Sequence, residues 1–261
     1  MIFYKTEEEI ELLGKSNQLV SKTLAEVAKL IQPGITTLKL DRQAEEYILD
    51  NGGKPGFKGY NKYPKTLCTS VNSEVVHGIP SAYELKDGDI VSIDCGVILN
   101  GYYGDSAYTF SIGKIDDSIK KLMKVTKESL FKGIEFAVDG LRIGDIGYAI
   151  QDHCEHAGFS VVREMVGHGL GKNLHEAPEV PNYGRRGKGI MLKKGMVICI
   201  EPMINMGNKE IVQEKDGWTI RTADNKPSAH YELAVAVNKN KADILSNFKC
   251  IEEVINNKQN T

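Results

Sequence analysis

The sequence lacks a long hydrophobic run and has almost no excess of charge of either sign. No stretch of its 261 residues approaches the roughly 18 apolar residues of a transmembrane helix, and Met1 to Ile10 carries charges where a signal peptide has an apolar core. The 33 basic and 35 acidic residues give a formal net charge of −2, so no basic patch for nucleic acid is expected. We therefore expect a cytoplasmic protein that binds a small molecule or a peptide, with no nucleic-acid partner and no membrane partner.

Cysteine is also scarce, and its spacing argues against one kind of metal site. The five cysteines are odd in number, and none forms a CxxC pair. A structural zinc knuckle is therefore not expected, and reduced thiols fit the cytoplasm. Two of the cysteines lie in apolar, strand-like runs, where a thiol packs as a small hydrophobic group.

Helical and strand-like patterns alternate along the chain. Capping residues, apolar spacing and Gly or Pro breakers predict four helices, at Thr6 to Ile31, Leu38 to Leu49, Ile119 to Val138 and Ile143 to His156. Strand-like segments follow each helix pair, the second set running from Val161 to about Val237. This order of elements favours an α+β protein.

The alternation is an internal repeat. The segment LKDGDIVSID, residues 85–94, returns as LKKGMVICIE, residues 192–201, at an offset of 107, and the helix breaker Gly34 maps onto Gly140. We predict a single domain, 1–261, built from two pseudo-symmetric halves at about 1–115 and 116–250. Each half would contribute an antiparallel sheet facing a shared centre, with its helices outside.

Acidic residues stand where these strands should be apolar. An ionised Asp94 in the middle of an apolar run is costly to bury without a partner, of which a salt bridge or a backbone cap is the simplest. The Asn100-Gly101 pair predicts a two-residue hairpin turn, which places Asp105 diagonal to Asp94 on one face of the sheet, within about 5 to 8 Å. The second half adds Glu201, the repeat counterpart of Asp94, and Glu232 at the head of another apolar run. Four acids should therefore converge.

Metal ions are the counter-charge that best suits this cluster. No Lys or Arg interrupts the strand cores, and two divalent ions match the charge of four carboxylates. His168, flanked by Gly167 and Gly169, offers an imidazole, and carboxylates with one imidazole suit Mn, Fe(II), Co or Zn. The histidines of HCEH, residues 153–156, end an amphipathic helix and are expected to be ordinary helix residues without metal.

Five ordered motifs resemble a known enzyme family. VNSEVVHGIP, IVSIDCGVILNGYYGDSA, MVGHGLGKNLHEAP, VICIEPMI and DGWTIRT followed by SAHYELAVAV are together similar to type I methionine aminopeptidases. These enzymes share the pita-bread fold with prolidase, aminopeptidase P and creatinase. The resemblance covers nearly the whole chain, to about Val237.

The resemblance implies roles for individual residues. The metal ligands would be Asp94, Asp105, His168, Glu201 and Glu232, with Asp105 and Glu232 bridging two ions. Glu201 would also shuttle a proton, His175 would bind the scissile carbonyl or its oxyanion, and His77 would contact substrate near the leaving amide.

The same resemblance implies a pocket for the methionine side chain. Its residues would be apolar or aromatic: Phe57, Tyr60, Tyr63, Cys68, Leu174 and Trp218. Two of them depart from the family pattern, since Phe57 is bulkier than the usual small residue and Leu174 replaces the usual aromatic.

The implied function is removal of the initiator methionine from nascent polypeptides whose second residue is small. The protein would be a monomer that meets its substrates near the ribosome. Two alternatives are a broader pita-bread aminopeptidase and a non-catalytic binding module of the same fold, although the module would be expected to have lost its ligands.

Overall fold

The computed structural model describes residues 1–259, which form five α-helices and fifteen strands. Nine of the strands make one extended sheet, and the other six make two three-stranded sheets. The helices are α1 (Glu7–Leu30), α2 (Thr37–Asp50), α3 (Asp117–Ile134), α4 (Ile143–His156) and α5 (Lys249–Gln259). The strands are β1 (Lys54–Pro55), β2 (Leu67–Val71), β3 (Glu74–Val76), β4 (Ile90–Leu99), β5 (Tyr102–Ser111), β6 (Ser160–Val161), β7 (Gly167–Gly169), β8 (Glu176–Val180), β9 (Val197–Ile200), β10 (Met203–Asn205), β11 (Ile211–Gln213), β12 (Ile220–Thr222), β13 (Ser228–His230), β14 (Glu232–Ala236) and β15 (Asp243–Ile244). No helix within residues 1–259 is long and apolar enough to cross a membrane.

The helix boundaries follow local capping signals. The Thr6 hydroxyl accepts a hydrogen bond from the Glu9 amide at 3.2 Å, and the Glu9 carboxylate accepts one from the Thr6 amide at 3.0 Å, which starts α1. Helix α3 ends at Ile134 rather than at the predicted Val138, because the next residues tighten into i to i+3 hydrogen bonds, such as Ala137 to Ile134 at 3.0 Å. Helix α5, which packs on α1, was not predicted.

The hairpin of β4 and β5 has the predicted register. Leu99 faces Tyr102 and Gly96 faces Asp105, so Asp105 is diagonal to Asp94. The turn residues Asn100 and Gly101 both have positive φ, 53° and 80°, as a two-residue hairpin of this type requires.

The two halves share one sheet instead of forming two separate ones. Nine strands belong to it, with the path β1-β4-β5-β14-β9-β7-β8, and β2 and β15 pairing beside that path. Strand β5 of the first half pairs with β14 of the second, with Glu232 opposite Ala107. This pairing differs from the expected pair of facing sheets, and it satisfies two strand edges that would otherwise be open.

Strand alternation separates a helix-covered face from a face that carries the acids. On β4, Val91, Ile93 and Val97 belong to the main hydrophobic core, together with apolar residues of α1 to α4. Asp94 has the opposite parity and points to the other face. The helices therefore cover one side of the sheet, and the other side is available for a site.

Candidate metal centre and its cavity

All five predicted metal ligands line one cavity on the uncovered face of the sheet. Asp94 comes from β4, Asp105 from β5, His168 from β7, Glu201 from the residue after β9, and Glu232 from the start of β14. The cavity volume is about 320 Å³. Four strands and one strand end thus bring together residues that are as far as 138 positions apart in the sequence.

The four carboxylates are buried, and three of them have an oxygen without a hydrogen-bond partner. Asp105 is 3% exposed and Glu232 is 2% exposed. Among the described residues, Asp94 Oδ1, Asp105 Oδ1 and Glu232 Oε1 have no hydrogen-bond partner. Since buried carboxylate oxygens are normally hydrogen-bonded or bound to a cation, these atoms indicate a cation-binding site.

Burial raises the pKa of every one of these acids. Desolvation raises the pKa of Asp94 from 3.8 to about 7. Burial, followed by repulsion from neighbouring carboxylates, raises the pKa values of Asp105, Glu201 and Glu232 well above their ordinary range. Without a cation, the cluster therefore favours a partly protonated state, and a divalent ion would restore full ionisation.

The imidazole of His168 is neutral and directs a lone pair toward the acids. Burial lowers its pKa to about 3. Nδ1 lies 3.0 Å from the Gly169 carbonyl, so Nδ1 carries the hydrogen and Nε2 is the free acceptor. Nε2 is 3.7 Å from Asp105 Oδ2 and 3.6 Å from Glu201 Oε1, a repulsive arrangement of acceptors unless a cation lies between them.

The flanking glycines allow the backbone of β7 to approach its neighbours. A Cβ at Gly167 would lie 2.3 Å from the Cys199 carbonyl oxygen, and one at Gly169 would lie 2.5 Å from that of Ala177. Larger residues would push β7 away and move His168 out of the cluster. The two glycines therefore allow the close approach of β7 that keeps His168 in the cluster.

The donor set fits divalent metal ions. Oxygen ligands with one neutral imidazole suit Mn, Fe(II), Co or Zn. Within the described part of the chain, the residues lining the cavity include no Lys or Arg that could neutralise the acids instead.

Two residues near the acids were missed by sequence reasoning. The ligand atoms of Asp105, His168, Cys199 and Glu232 lie within 4.8 Å of one another. Cys199 is a protonated thiol, because burial and then Glu232 raise its pKa well above its ordinary value. Its position two residues before Glu201 on a strand could have revealed it, since alternate residues share a face.

His230 is the second missed residue. It is 1% exposed, and neither ring nitrogen has a hydrogen-bond partner among residues 1–259. Its Nε2 lies 3.9 Å from Glu201 Oε2. Burial, then His77, lowers the pKa of His230 to about 3, so the ring is neutral. Its place two residues before Glu232 was the available signal.

The two predicted catalytic histidines line the same cavity without joining the acids. The His175 ring packs edge-on against His168 with centroids 4.3 Å apart, and its Nδ1 lies 2.8 Å from the Tyr60 hydroxyl. His77 has a positive φ of 61°, and burial lowers its pKa to about 4. Burial also lowers the pKa of His175. Both side chains are therefore neutral hydrogen-bonding groups.

The predicted methionine pocket forms the apolar part of the cavity wall. All six residues line it: Phe57, Tyr60, Tyr63, Cys68, Leu174 and Trp218. Further lining residues that were not predicted are Asn61, Val76, Glu164, Met165, Val166 and Met203. Tyr63 meets Trp218 edge-on at 5.0 Å, and the ring of Phe57 covers Gly96, where a Cβ would lie 2.4 Å from a ring carbon. The bulk of Phe57 is thus accommodated by a glycine on the neighbouring strand.

The histidines of HCEH lie outside the cavity on α4. His153 Nε2 is 3.1 Å from Glu128 Oε2, and His156 Nδ1 is 2.7 Å from the Asp152 carbonyl. These contacts agree with the expectation that both are ordinary helix residues.

Comparison with known proteins places this geometry in a family. Residues 11–239 match the sequence profile of metallopeptidase family M24. The methionine aminopeptidase of Clostridium perfringens is 52% identical over 249 residues, which cover 95% of this chain and 100% of that protein. A crystal structure of methionine aminopeptidase from Rickettsia prowazekii superposes with a TM-score of 0.93 at 40% identity, covering 95% of this chain and 100% of that one.

A more distant structure confirms the fold alone. The prolidase from Pyrococcus furiosus has a TM-score of 0.75 at 24% identity, covering 94% of this chain and 65% of that one. The predicted pita-bread fold of α+β type is therefore confirmed. With similarity over nearly its full length, the chain belongs to metallopeptidase family M24 and, within it, to the group of methionine aminopeptidases.

Proposed function

We propose that this protein removes the initiator methionine from polypeptides whose second residue is small, by hydrolysis at a centre of two divalent metal ions. The observation that carries the proposal is the single cavity that joins buried, unpartnered carboxylate oxygens to an apolar and aromatic wall. The carboxylates suit metal-assisted hydrolysis, and the wall suits a flexible thioether side chain. Methionine aminopeptidases are also the relatives with the highest identity given above.

The five ligands of the proposed centre are Asp94, Asp105, His168, Glu201 and Glu232. Mn, Fe(II), Co and Zn all suit this set of donors. Divalent ions bound there supply Lewis acidity, which favours attack of water on a peptide carbonyl.

Glu201 is proposed to move the proton of the reaction. Its carboxylate lines the cavity with the other ligands, and an ionised carboxylate there can accept a proton from water and pass it to the leaving amine. Its carbonyl oxygen accepts a hydrogen bond from the Asn182 amide group at 3.0 Å, which holds the backbone at this strand end.

His175 and His77 are proposed to bind the peptide. If the Tyr60 hydroxyl donates to His175 Nδ1, then Nε2 carries the ring hydrogen and can donate to the scissile carbonyl or its oxyanion. His77 packs edge-on near Trp218, with centroids 6.2 Å apart, and can contact the leaving side of the substrate. The methionine side chain would lie against Tyr63, Cys68, Leu174 and Trp218, with Phe57 and Tyr60 beside them.

An assay across metals and peptides tests this function. The metal-free protein would be loaded with Mn, Fe(II), Co or Zn and offered Met-Ala-Ser and Met-Leu-Ser. We expect cleavage only with metal and much faster release of methionine from Met-Ala-Ser. Equal rates on both peptides would indicate a broader aminopeptidase. A protein that neither cleaves the peptides nor binds metal would be a binding module.

The biological setting is part of the proposal. We expect a monomeric enzyme in the cytoplasm that meets nascent chains near the ribosome, acting as one domain over residues 1–261. Size-exclusion chromatography with light scattering tests the monomer.

A further inference from the structure

The N-terminal segment, residues 2–6, lies against the loop that presents His175. Ile2 forms a parallel bridge with Ala177, and the Lys5 amide donates to the Gly195 carbonyl at 2.7 Å. The next residue, Thr6, caps α1. Lys5 is therefore fixed between a helix start and a loop of the active-site cavity.

A buried ion pair connects this segment to the loop. Lys5 Nζ lies 2.5 Å from Glu176 Oε2, and the two side chains are only 6% and 4% exposed. By contrast, the nearby pair of Lys194 and Glu7 is 48% and 86% exposed. An exposed ion pair contributes little to the free energy of unfolding. A buried charge, by contrast, is costly to keep in the fold when its partner is removed.

Glu176 shapes the loop of residues 171–176 from within. Its Oε1 accepts a hydrogen bond from the Asn173 amide at 3.2 Å. Gly171 lies against the same carboxylate, because a Cβ there would come within 2.3 Å of Oε1. The Gly171 carbonyl in turn accepts from the Tyr103 amide at 2.9 Å. The carboxylate thus fills the inside of the turn, and Lys5 holds it in place.

His175 directly precedes this carboxylate and points the other way. His175 lines the cavity with the metal ligands, while Glu176 lines a separate cleft with Lys5 and Phe3. Because this carboxylate supports the turn at Asn173 and Gly171, a change in its position would disturb the backbone that carries His175. The contact of His175 with the Tyr60 hydroxyl at 2.8 Å would change with it.

We propose that Lys5 is a positioning residue, which acts through Glu176 to hold the His175 ring where it meets the substrate carbonyl. This inference rests on the proposed function of His175. The competing explanation is an ion pair that only stabilises the fold.

Kinetics of Lys5→Met test the proposal, because this change keeps the aliphatic stem and removes the charge. We expect kcat on Met-Ala-Ser to fall about 10-fold or more with KM nearly unchanged, since small displacements of a catalytic group cost rates of this size. Lys5→Arg, which keeps the charge, should recover most of the loss. Lys194→Met removes the exposed pair and is the matched control, with wild-type kinetics expected. Wild-type kcat in folded Lys5→Met would overturn the proposal.

A second arm separates positioning from stability. In a His175→Ala background, Lys5→Met should cause no further loss of kcat, because the group that it positions is already absent. An equal fold-loss in both backgrounds would show a purely structural role and overturn the proposal.

A third arm needs neither metal nor turnover. In ¹H–¹⁵N spectra of the metal-free protein, Lys5→Met should shift the ring signals of His175, identified by their loss in His175→Ala, and leave those of His153 and His156 unchanged. Unshifted His175 signals would overturn the proposal. If Lys5→Met does not fold, Glu176→Gln, which keeps the shape and the acceptor for Asn173, carries the same kinetic and spectral tests. A wild-type protein that cleaves no methionyl peptide would refute the proposed function, and the spectra would still decide whether Lys5 positions His175.

Discussion

The two halves of the chain build the same backbone frame from sequences that are alike at only some positions. The Gly34 amide donates to the Leu85 carbonyl at 2.7 Å, and the Gly140 amide donates to the Leu192 carbonyl at 2.9 Å. Gly34 and Gly140 have nearly equal positive φ values of 85° and 88°. The repeat seen in the sequence is therefore a repeat of hydrogen bonds and turns.

One acid of each half follows this frame. Asp94 lies four residues into β4, and Glu201 lies four residues after the start of β9. The preceding turns match as well, since Gly88 and Gly195 have φ values of 95° and 90°. Equivalent backbone positions thus direct both acids at the shared cavity.

The other acid of each half breaks the symmetry. In the first half, Asp105 pairs with Gly96. At the equivalent position of the second half, His230 pairs with Met203. Glu232 lies two residues further along, opposite Ala107 of the first half. The repeated backbone therefore decides where the site lies, and different side chains at equivalent positions decide its chemistry.

The largest expected effect tests whether the symmetric acids have different roles. Glu201→Gln should lower kcat by about 10²–10⁴-fold, because it removes both a ligand charge and the group proposed to move the proton. Asp94→Asn should mainly weaken metal binding and recover part of its kcat at high metal concentration. Steady-state kinetics at increasing Mn concentration measure both. Equal, metal-independent losses in the two variants would mean that the halves are equivalent in chemistry as well as in backbone.

A second prediction concerns the pH dependence of the metal-free protein. Above about pH 7.5 the buried histidines are almost entirely neutral in both folded and unfolded states, so the carboxylates determine the change in stability. Their pKa values are raised in the fold, to about 7 for Asp94, so the folded state holds more protons than the unfolded state. Stability should therefore fall as pH rises from about 7.5 to 8.5, by roughly 1 kcal/mol or more per carboxylate that ionises.

Denaturant unfolding of chelator-treated protein measures this slope. Bound metal should remove this dependence of stability on pH, because the ion favours the ionised form of the carboxylates. Asp94→Asn removes one acid of the first half and should lower the slope. Ala107→Asp adds an acid opposite Glu232 and should raise it. A metal-free protein whose stability is flat or rises over this range would contradict the prediction.

The smallest expected effect concerns the repeated turns. A Cβ at Gly34 or Gly140 would meet no heavy atom within 4 Å, so alanine at either place costs only the strain of a positive φ. Gly34→Ala and Gly140→Ala should each lower the free energy of unfolding by about 1–2 kcal/mol, and by the same amount. Urea unfolding of the two variants measures this. Clearly unequal losses would show that the two turns are not equivalent in energy.

Local patterns explain why much of the site could be predicted. The turn at Asn100 and Gly101 sets the register of β4 and β5, and strand alternation then puts Asp94 and Asp105 on one face. The apolar surroundings of these acids already indicated a cation. Helices α1, α2 and α4 began and ended close to their predicted residues because their caps are local signals.

Features that depend on distant contacts could not be predicted in this way. The two halves join in one sheet because β5 pairs with β14. Local sequence patterns do not show which strand edges will pair. Helix α5 owes its place to packing on α1. The ion pair of Lys5 and Glu176 joins residues 171 positions apart.

Local signals were enough to identify the acids, the imidazole and the repeated frame, because periodicity, turn residues and the cost of burying charge act over a few residues. The folded chain was needed to show which oxygens lack partners, that Cys199 and His230 lie beside the acids, and that Lys5 reaches the loop of His175. Burial and contact depend on how the whole chain packs. Spacing along the sequence can indicate which residues need a partner, but packing determines which partner they meet.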